Sequence, residues 1–153
     1  MVVASTPYSV DSYTPDESVG YLVARVRASL FAAVDREMAP LGVSAAQFVI
    51  LLNVAQQRAS CAADLAREQS TDTGSMTRMI DRLVRKGLLR RARDPKDRRV
   101  VRLELTEAGR KLARKLPPVA VKVLNQHLRG FSDAEFGQLK SLLRRMLANA
   151  GRT

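Results

Sequence analysis

The sequence of 153 residues is poor in the side chains that build disulfide and metal sites. It has one cysteine, one histidine and no tryptophan, and aromatic residues make up only 5%. One cysteine excludes an internal disulfide framework, and one cysteine with one histidine excludes the usual zinc clusters. The longest apolar runs, 30–34 and 48–52, have five residues each. A helix that crosses a bilayer needs about 20 apolar residues, so no transmembrane span is predicted.

The residue pattern also argues against a secreted protein and against an enzyme. No basic n-region or long apolar h-region occurs in the N-terminal stretch MVVASTPYSVDSYT. We therefore predict no secretory signal, and the cytoplasm is the expected compartment. The sequence contains no Ser/His/Asp set, glycine-rich phosphate loop or metal-spaced cluster. We expect no catalytic site, metal, cofactor or membrane partner.

Positive charge is concentrated in one quarter of the chain. The whole sequence has 26 Lys and Arg against 15 Asp and Glu, a net charge of +11. Residues 78–115 hold 15 of the basic and 5 of the acidic residues, so this segment alone carries +10. A basic segment on a nearly neutral scaffold predicts a polyanionic partner. The segment has no aromatic residue on which single-stranded bases could stack, and this favours duplex DNA.

Apolar residues recur at helical spacing in six segments. The predicted helices span about 16–38, 44–56, 61–68, 72–86, 106–128 and 132–149. Ser44 with Gln47, and Ser132 with Glu135, have the spacing of capping boxes. Gly87 is expected to end the fourth helix in the left-handed conformation. The pair 117–118 is Pro-Pro, which predicts a kink within the fifth helix because proline removes backbone hydrogen bonds.

After Gly87 the apolar spacing changes to the alternation of strands, over 88–92 and 101–105, with a basic turn between them. Two short helices joined by a tight turn and followed by a hairpin form a winged helix-turn-helix. The expected fold is mainly α with a small β-hairpin wing. The winged helix-turn-helix covers 44–105, and residues 1–15 form a flexible arm. Regions 16–43 and 106–150 are predicted dimerisation helices, because their broad apolar faces need a partner chain as a cover.

The fourth helix is predicted to enter the major groove of DNA. Arg78 can bond guanine or phosphate, and Arg82 lies one turn later on the same side. The basic hairpin tip would reach the minor groove or its phosphates. As alternatives, Arg78 and Arg82 could pair with Asp81 or Asp72, and the basic run could be only a solvated surface. The candidate DNA-binding residues are Ser70, Thr71, Thr73, Gly74, Ser75, Thr77, Arg78, Arg82, Lys96, Asp97, Arg98 and Arg99.

The segment 70–110 resembles the core of the MarR (multiple antibiotic resistance regulator) family. The likeness rests on TRMIDRLVRKGLL in the fourth helix, DPKDRR at the hairpin tip and LELTEAG at the start of the fifth helix, and extends over residues 18–148. It implies a homodimeric bacterial transcription regulator, a repressor that reads a pseudo-palindromic operator, with Asp97 holding an arginine of the wing. It also implies a small aromatic or phenolic effector between the winged domain and the dimer helices, although no ligand-binding residue can be named. The family's fifth helix is usually continuous, so the Pro-Pro pair is a departure.

Two other regulatory mechanisms remain open at this stage. Cys61 is predicted in the first turn of the third helix, where a helix N-terminus can activate a thiol, so the protein could respond to cysteine oxidation. A packed, unreactive role is the simpler interpretation, because the chain has no second cysteine to resolve an oxidised one. The protein could also bind DNA constitutively, without any effector. His127 is predicted to pack or cap a helix rather than to bind a ligand.

Overall fold

The computed structural model describes residues 7–94 and 100–151 of the chain. Over these ranges the chain is mainly helical, with one antiparallel pair of strands, as the sequence predicts. The elements are α1 Val19–Met38, α2 Ala45–Ala55, α3 Ala62–Glu68, α4 Thr73–Arg85, β1 Leu89–Arg93, β2 Val101–Leu105, α5 Glu107–Ala113, α6 Leu116–His127 and α7 Asp133–Ala150.

Short-range hydrogen bonds set the starts of α2 and α7. The Ser44 hydroxyl accepts from the amide of Gln47 at 3.3 Å, and the Gln47 side chain accepts from the amide of Ser44 at 3.3 Å. Ser132 and Glu135 repeat this reciprocal pattern at the start of α7. Both predicted capping boxes are therefore confirmed, and each satisfies two amides that the helix itself leaves unbonded.

One hydrophobic core holds α4 against the other elements of the winged domain. Large side chains in it are almost fully buried, and they come from α2, α3, α4 and β1. The apolar stripe of α4 points inward, which leaves its other side for solvent or a ligand. The residues with 0–1% exposure in this core include Ile50, Leu51, Leu65, Met76, Ile80, Leu83 and Leu89.

The base of the hairpin is joined to α4 and α5 at the carbonyl of Leu88. Gly87 ends α4 with φ 67°, in the left-handed conformation that the sequence predicts. The amide of Thr106 donates to the Leu88 carbonyl at 3.1 Å, and its hydroxyl donates to the Gly87 carbonyl at 2.5 Å. Gly109 packs so close that a Cβ there would lie 2.0 Å from the Leu88 oxygen. In the LELTEAG motif, the threonine is therefore needed for its hydrogen bonds to the backbone of residues 87–88, and the glycine is needed because no side chain fits against the Leu88 carbonyl.

The position of the break near the proline pair differs from the prediction. The long fifth helix is divided into α5, which ends at Ala113, and α6, which begins at Leu116. Pro117 and Pro118 occupy the first turn of α6, where an amide has no partner within the helix in any case. The predicted interruption of the long helix is therefore present, although the prolines themselves remove no interior hydrogen bond. The interruption lies at residues 114–115, before the prolines.

The outer helices expose apolar faces. No residue in the described part of α7 is buried. An apolar groove of about 420 Å³ separates α7 from the first turns of α1, and it is lined mainly by Val19, Leu22, Val23, Leu139, Leu142, Leu143 and Met146. Among the described residues, no single helix is long and apolar enough to cross a membrane, and α1 with α2 reaches that length only across an 81° bend.

Candidate nucleic-acid interface

The N-terminus of α4 is fixed by Asp72, which precedes the helix as its cap. The Asp72 carboxylate accepts from the amide of Ser75 at 2.8 Å. Hydrogen bonds from Ser75 hold the pKa of Asp72 below its usual range, and the positive charge of Arg78 adds to this effect. Asp72 therefore remains ionised as a cap, and the sequence-based assignment of it as an N-cap is confirmed.

The predicted DNA-binding residues of α4 lie on its accessible side. Thr73, Gly74, Thr77, Arg78 and Arg82 are exposed, and Ser75 is half-buried. The Arg78 guanidinium donates to the Ser75 hydroxyl at 2.8 Å, and the Thr77 hydroxyl donates to the Thr73 carbonyl at 2.8 Å. Among the described residues, neither Arg78 nor Arg82 forms a salt bridge with Asp72 or Asp81, the pairs considered as alternatives.

The turn between α3 and α4 places two further candidates at the entrance to α4. Ser70 is exposed and adopts a left-handed φ of 48°, which turns the chain between the two helices. Thr71 is half-buried, and its amide donates to the Ala66 carbonyl at 2.9 Å. Ser70 and Thr71 thus belong to the same end of α4 as the residues of its first turn.

Several arginines of the basic segment are engaged inside the hairpin. Arg90 pairs with Glu104 across the strands at 2.6 Å, and Arg91 pairs with Asp81 of α4 at 2.7 Å. The Arg102 guanidinium bonds the buried carboxylate of Asp94. These three arginines therefore brace the wing, and the net +10 of the segment, which already subtracts their acidic partners, comes from its other basic residues. The predicted tip residues Lys96, Asp97, Arg98 and Arg99 lie outside the described residues.

Lys86 makes long-range hydrogen bonds that no local sequence pattern predicts. It follows the last turn of α4, and its ammonium donates to the carbonyl of Gly42 and to Oε1 of Gln47, the latter at 3.3 Å. Gln47 is only 5% exposed and also belongs to the capping box of α2. Lys86 therefore ties the end of α4 to the start of α2. Its partners lie about forty residues away in sequence, and no local pattern indicates such a contact.

Replacing Lys86 by methionine should loosen this tie while keeping the aliphatic stem. We expect Lys86→Met to lower the free energy of unfolding by about 1 kcal/mol, because hydrogen bonds to a charged group are lost at a partly exposed site. Urea unfolding at fixed protein concentration measures the effect. Arg85→Met removes the same charge one residue earlier, where the side chain reaches only the Asp81 carbonyl at 3.4 Å, and should be nearly neutral. Equal losses in both variants would contradict the tie.

An apolar cavity of about 150 Å³ lies where α1, α2 and α6 meet. The cavity lies between α2 of the winged domain and the outer helices α1 and α6. Two polar contacts join α1 to α6: Ser29 bonds His127 at 3.0 Å, and Glu37 pairs with Lys122 at 2.7 Å. The lining residues are Leu30, Phe31, Val34, Ala45, Phe48, Val49, Ala120, Val123 and Leu124.

Cys61 and His127 both make local structural bonds. Cys61 caps α3 rather than lying in its first turn, and its thiol donates to Oδ2 of Asp64 at 3.2 Å. This bond is the largest cause of the lowered pKa of Asp64, with Arg67 contributing as well. In the last turn of α6, His127 Nδ1 contacts the Val123 carbonyl at 2.8 Å. Cys61 is half-buried and His127 is exposed, and the packed or capping roles of the two side chains stay predictions.

A capped, exposed helix α4, a tight turn from α3 and a braced two-stranded wing define a winged helix-turn-helix protein. The family model that matches residues 43–101 is the one described as MarR family. The chain is 30% identical over 130 residues to the multiple antibiotic resistance protein MarR of Escherichia coli (strain K12), which covers 84% of this chain and 90% of the relative. The chain belongs to the MarR family of transcriptional regulators.

Two further comparisons cover similar lengths. The HTH-type transcriptional repressor NicR of Pseudomonas putida is 27% identical over 151 residues, 97% of this chain and 96% of the relative. The solved structure of BpsR of Bordetella bronchiseptica, whose DNA binding is regulated by 6-hydroxynicotinic acid, is 30% identical. It superposes with a TM-score of 0.74 over 88% of this chain and 96% of that chain.

Proposed function

We propose that this protein is a homodimeric repressor of transcription that binds a pseudo-palindromic operator in duplex DNA and is released by a small aromatic or phenolic ligand. The observation that carries the proposal is the accessible side of α4, which has small hydroxyl residues in its first turns, Arg78 near the middle of the helix and Arg82 in the last turn. The family membership and the repressor NicR support it. A cytoplasmic location and the absence of catalysis remain predictions.

The first turn of α4 suits an approach to the DNA backbone and bases. Residues 73–75 are Thr-Gly-Ser, so the backbone of this turn is covered by little side-chain volume. Arg78 is already directed toward this end of the helix by its bond to Ser75, and Arg82 makes no side-chain hydrogen bond or ion pair with another described residue. Both guanidiniums are therefore available for guanine or phosphate, which arginine binds through two parallel N–H groups.

The apolar faces of α1 and α7 support the homodimer. Leu142 is 45% exposed and Leu147 is 74% exposed in the single chain, although both belong to the apolar stripe of α7. Contiguous apolar surface of this kind is unfavourable in water and is typical of an interface. A second copy that covers it would present two α4 helices, and two-fold symmetry in the protein matches a pseudo-palindromic operator.

The cavity between α1, α2 and α6 is the proposed effector site. It lies against α2, which Lys86 connects to the end of α4, so a ligand there contacts an element that is tied to the DNA-reading helix. A ligand that binds one arrangement of the two reading heads better than another shifts the population toward it. BpsR, regulated by 6-hydroxynicotinic acid, is an example of a ligand-responsive protein with a similar fold.

Replacing Arg78 by alanine should weaken operator binding without unfolding the protein. Loss of one arginine contact to a base costs about 1–3 kcal/mol, a factor of roughly 5–150 in Kd. Fluorescence anisotropy with duplex DNA from upstream of the protein's own gene measures Kd at several salt concentrations. A phosphate contact lowers the slope of log K against log salt by about 1, whereas a base contact leaves the slope unchanged.

Arg144→Ala is the matched control for this experiment. Arg144 is an exposed residue of α7, outside the winged domain, and its substitution removes the same charge. We expect its Kd to change by less than about twofold, because general attraction depends only weakly on one remote charge. Unchanged operator binding by the Arg78→Ala variant, with wild-type melting behaviour, would show that α4 does not read DNA through this residue.

A further inference from the structure

Asp81 is the only acidic residue of α4, the helix that the proposed function places in the major groove. It follows Arg78 by three residues and directly precedes Arg82, and every other charged residue of the helix is an arginine. A carboxylate on a helix that approaches DNA repels the phosphates unless a neighbouring cation neutralises it. The cation that Asp81 contacts belongs to the hairpin.

Arg91 of β1 binds the Asp81 carboxylate. Its Nη2 donates to Oδ1 of Asp81 at 2.7 Å, and the side chains of Arg91 and Asp81 are 42% and 44% exposed. Among the described residues, no other side-chain hydrogen bond or ion pair joins α4 to the two strands. An ion pair as exposed as this one contributes little to the stability of a fold. Stability alone therefore does not account for an acidic residue on α4.

Strand alternation places Arg91 on the side of the hairpin that faces α4. Leu89, two residues earlier in β1, points the same way and is buried in the core that also contains Leu83 of α4. Arg90 points to the opposite side, where it pairs with Glu104 across the strands at 2.6 Å. The two ion pairs are thus similar in length, but only the Asp81–Arg91 pair joins the hairpin to α4.

The Asp81–Arg91 pair closes a triangle between the helix and the strand. The chain leaves α4 after Arg85, turns at Gly87 with φ 67°, and enters β1 at Leu89. This turn fixes the point at which the two elements meet. The ion pair joins them at positions away from that point, so it restricts the angle between them.

We propose that Asp81 and Arg91 are positioning residues that set the angle between α4 and the hairpin and thereby raise the preference for operator over other duplex DNA. A fixed angle reduces the entropy lost when both elements bind one duplex, and it leaves less freedom to adapt to a non-operator sequence. The pair also occupies Arg91, which would otherwise add to the sequence-independent attraction to phosphates. The inference rests on the proposed function, because it concerns the same surface of α4.

Asp81→Asn should lower the preference for the operator. The operator probe is a duplex that the wild-type protein selects from a random-sequence library, and a scrambled duplex of the same composition is the non-operator probe. Fluorescence anisotropy gives the ratio of the two Kd values at one salt concentration. The variant frees Arg91, so we expect tighter binding of the scrambled duplex and a fall in the ratio of about fivefold or more, the effect of roughly one added phosphate contact. A ratio within about twofold of the wild-type value would overturn the proposal.

Glu104→Gln is the matched control. It removes the carboxylate of the ion pair on the opposite side of the hairpin and changes the net charge by the same amount, while the Asp81–Arg91 bond stays in place. Both duplexes should then change in affinity by the same factor, and their ratio should stay within about twofold of the wild-type value. A fall equal to that of Asp81→Asn would show that added charge alone lowers the preference, and the proposal would be wrong.

The double variant Asp81→Asn/Arg91→Gln separates the angle from the charge. Its net charge equals that of the wild-type protein, so the general attraction to DNA is unchanged. We expect the ratio to fall by about threefold or more, and by less than the product of the losses in the two single variants, because both residues act through one bond. A wild-type ratio, or losses that multiply, would contradict the proposal. Melting temperatures near that of the wild-type protein are expected for all variants, since the pair is exposed.

The behaviour of the wild-type protein separates this inference from the proposed function. If the wild-type protein selects no sequence and binds both duplexes equally, the proposed function fails and the inference fails with it. If it prefers the operator and Asp81→Asn keeps that preference, only the inference fails.

Discussion

Leu142→Glu is expected to convert the dimer to a monomer and to remove most of the operator affinity. Leu142 lies on the apolar stripe of α7 and lines the groove opposite α1. A carboxylate at this position would be buried without a partner in the dimer, whereas in the monomer it is solvated. The mass measured by light scattering should fall from twice 16.9 kDa to 16.9 kDa.

The loss of DNA binding follows from the loss of the second reading head. When two heads are linked, binding of the first raises the effective concentration of the second, which contributes about 10²–10⁴ in affinity. We expect a loss of this size in Leu142→Glu, although every residue of α4 is intact. Fluorescence anisotropy with the complete operator and with a single half-site distinguishes the two contributions, because only the complete operator should lose affinity.

Ser141→Glu provides the control for the dimer prediction. Ser141 is the preceding residue of α7, it is exposed, and its side chain does not line the groove. The substitution introduces the same charge into the same helix, and it should leave both the mass and the operator affinity near those of the unmodified protein. A monomer in both variants would indicate that charge on α7, rather than its apolar stripe, controls assembly.

Gly109→Ala is expected to destabilise the winged domain severely. A Cβ at residue 109 would lie 2.0 Å from the Leu88 oxygen and 3.0 Å from its carbonyl carbon, and both atoms belong to the backbone. A side-chain rotation cannot relieve this overlap, so α5 must move away from the hairpin base. We expect the free energy of unfolding to fall by about 3 kcal/mol or more, a value typical of overpacking and backbone displacement.

Gly137→Ala separates this overlap from the general effect of glycine in helices. Gly137 is a residue of α7 with no atom within 4 Å of a built Cβ. An alanine there should stabilise the helix by about 0.5–1 kcal/mol, because alanine has the higher helix propensity. Urea unfolding of both variants at the same protein concentration measures the difference. A stabilised Gly109→Ala variant would contradict the close approach to Leu88.

The sequence predicted the elements well where local signals agreed. The boundaries of α2, α4 and α7 follow from caps at Ser44, Asp72 and Ser132, and each cap acts within three residues of the chain. Apolar spacing and the alternation after Gly87 located α4 and the two strands of the hairpin. These features could be predicted because each depends on hydrogen bonds or side-chain directions between near neighbours.

Predictions failed where distant segments decide the structure. The sequence showed a basic segment, but it did not show that Arg91 pairs with Asp81 or that Arg102 pairs with Asp94. Lys86 was counted only as charge, because its partner Gln47 becomes its neighbour only after α2 and α4 pack together. The cavity could not be predicted from the sequence either, since three helices from separate parts of the chain form its walls. Tertiary packing adds information that no local pattern contains.

The hydrogen bonds at the two ends of the hairpin ladder limit how far a sequence change between the strands affects the rest of the fold. Bonds from Thr106 close the hairpin at its base, and the amide of Asp94 donates to the Val100 carbonyl at 3.0 Å at the far end of the ladder. The register between these two closures runs from Leu89 opposite Leu105 to Arg93 opposite Val101. Sequence changes beyond Asp94 therefore need not disturb the register or α5. The sequence of the connection between the strands can consequently change while the hairpin base and α5 keep their positions.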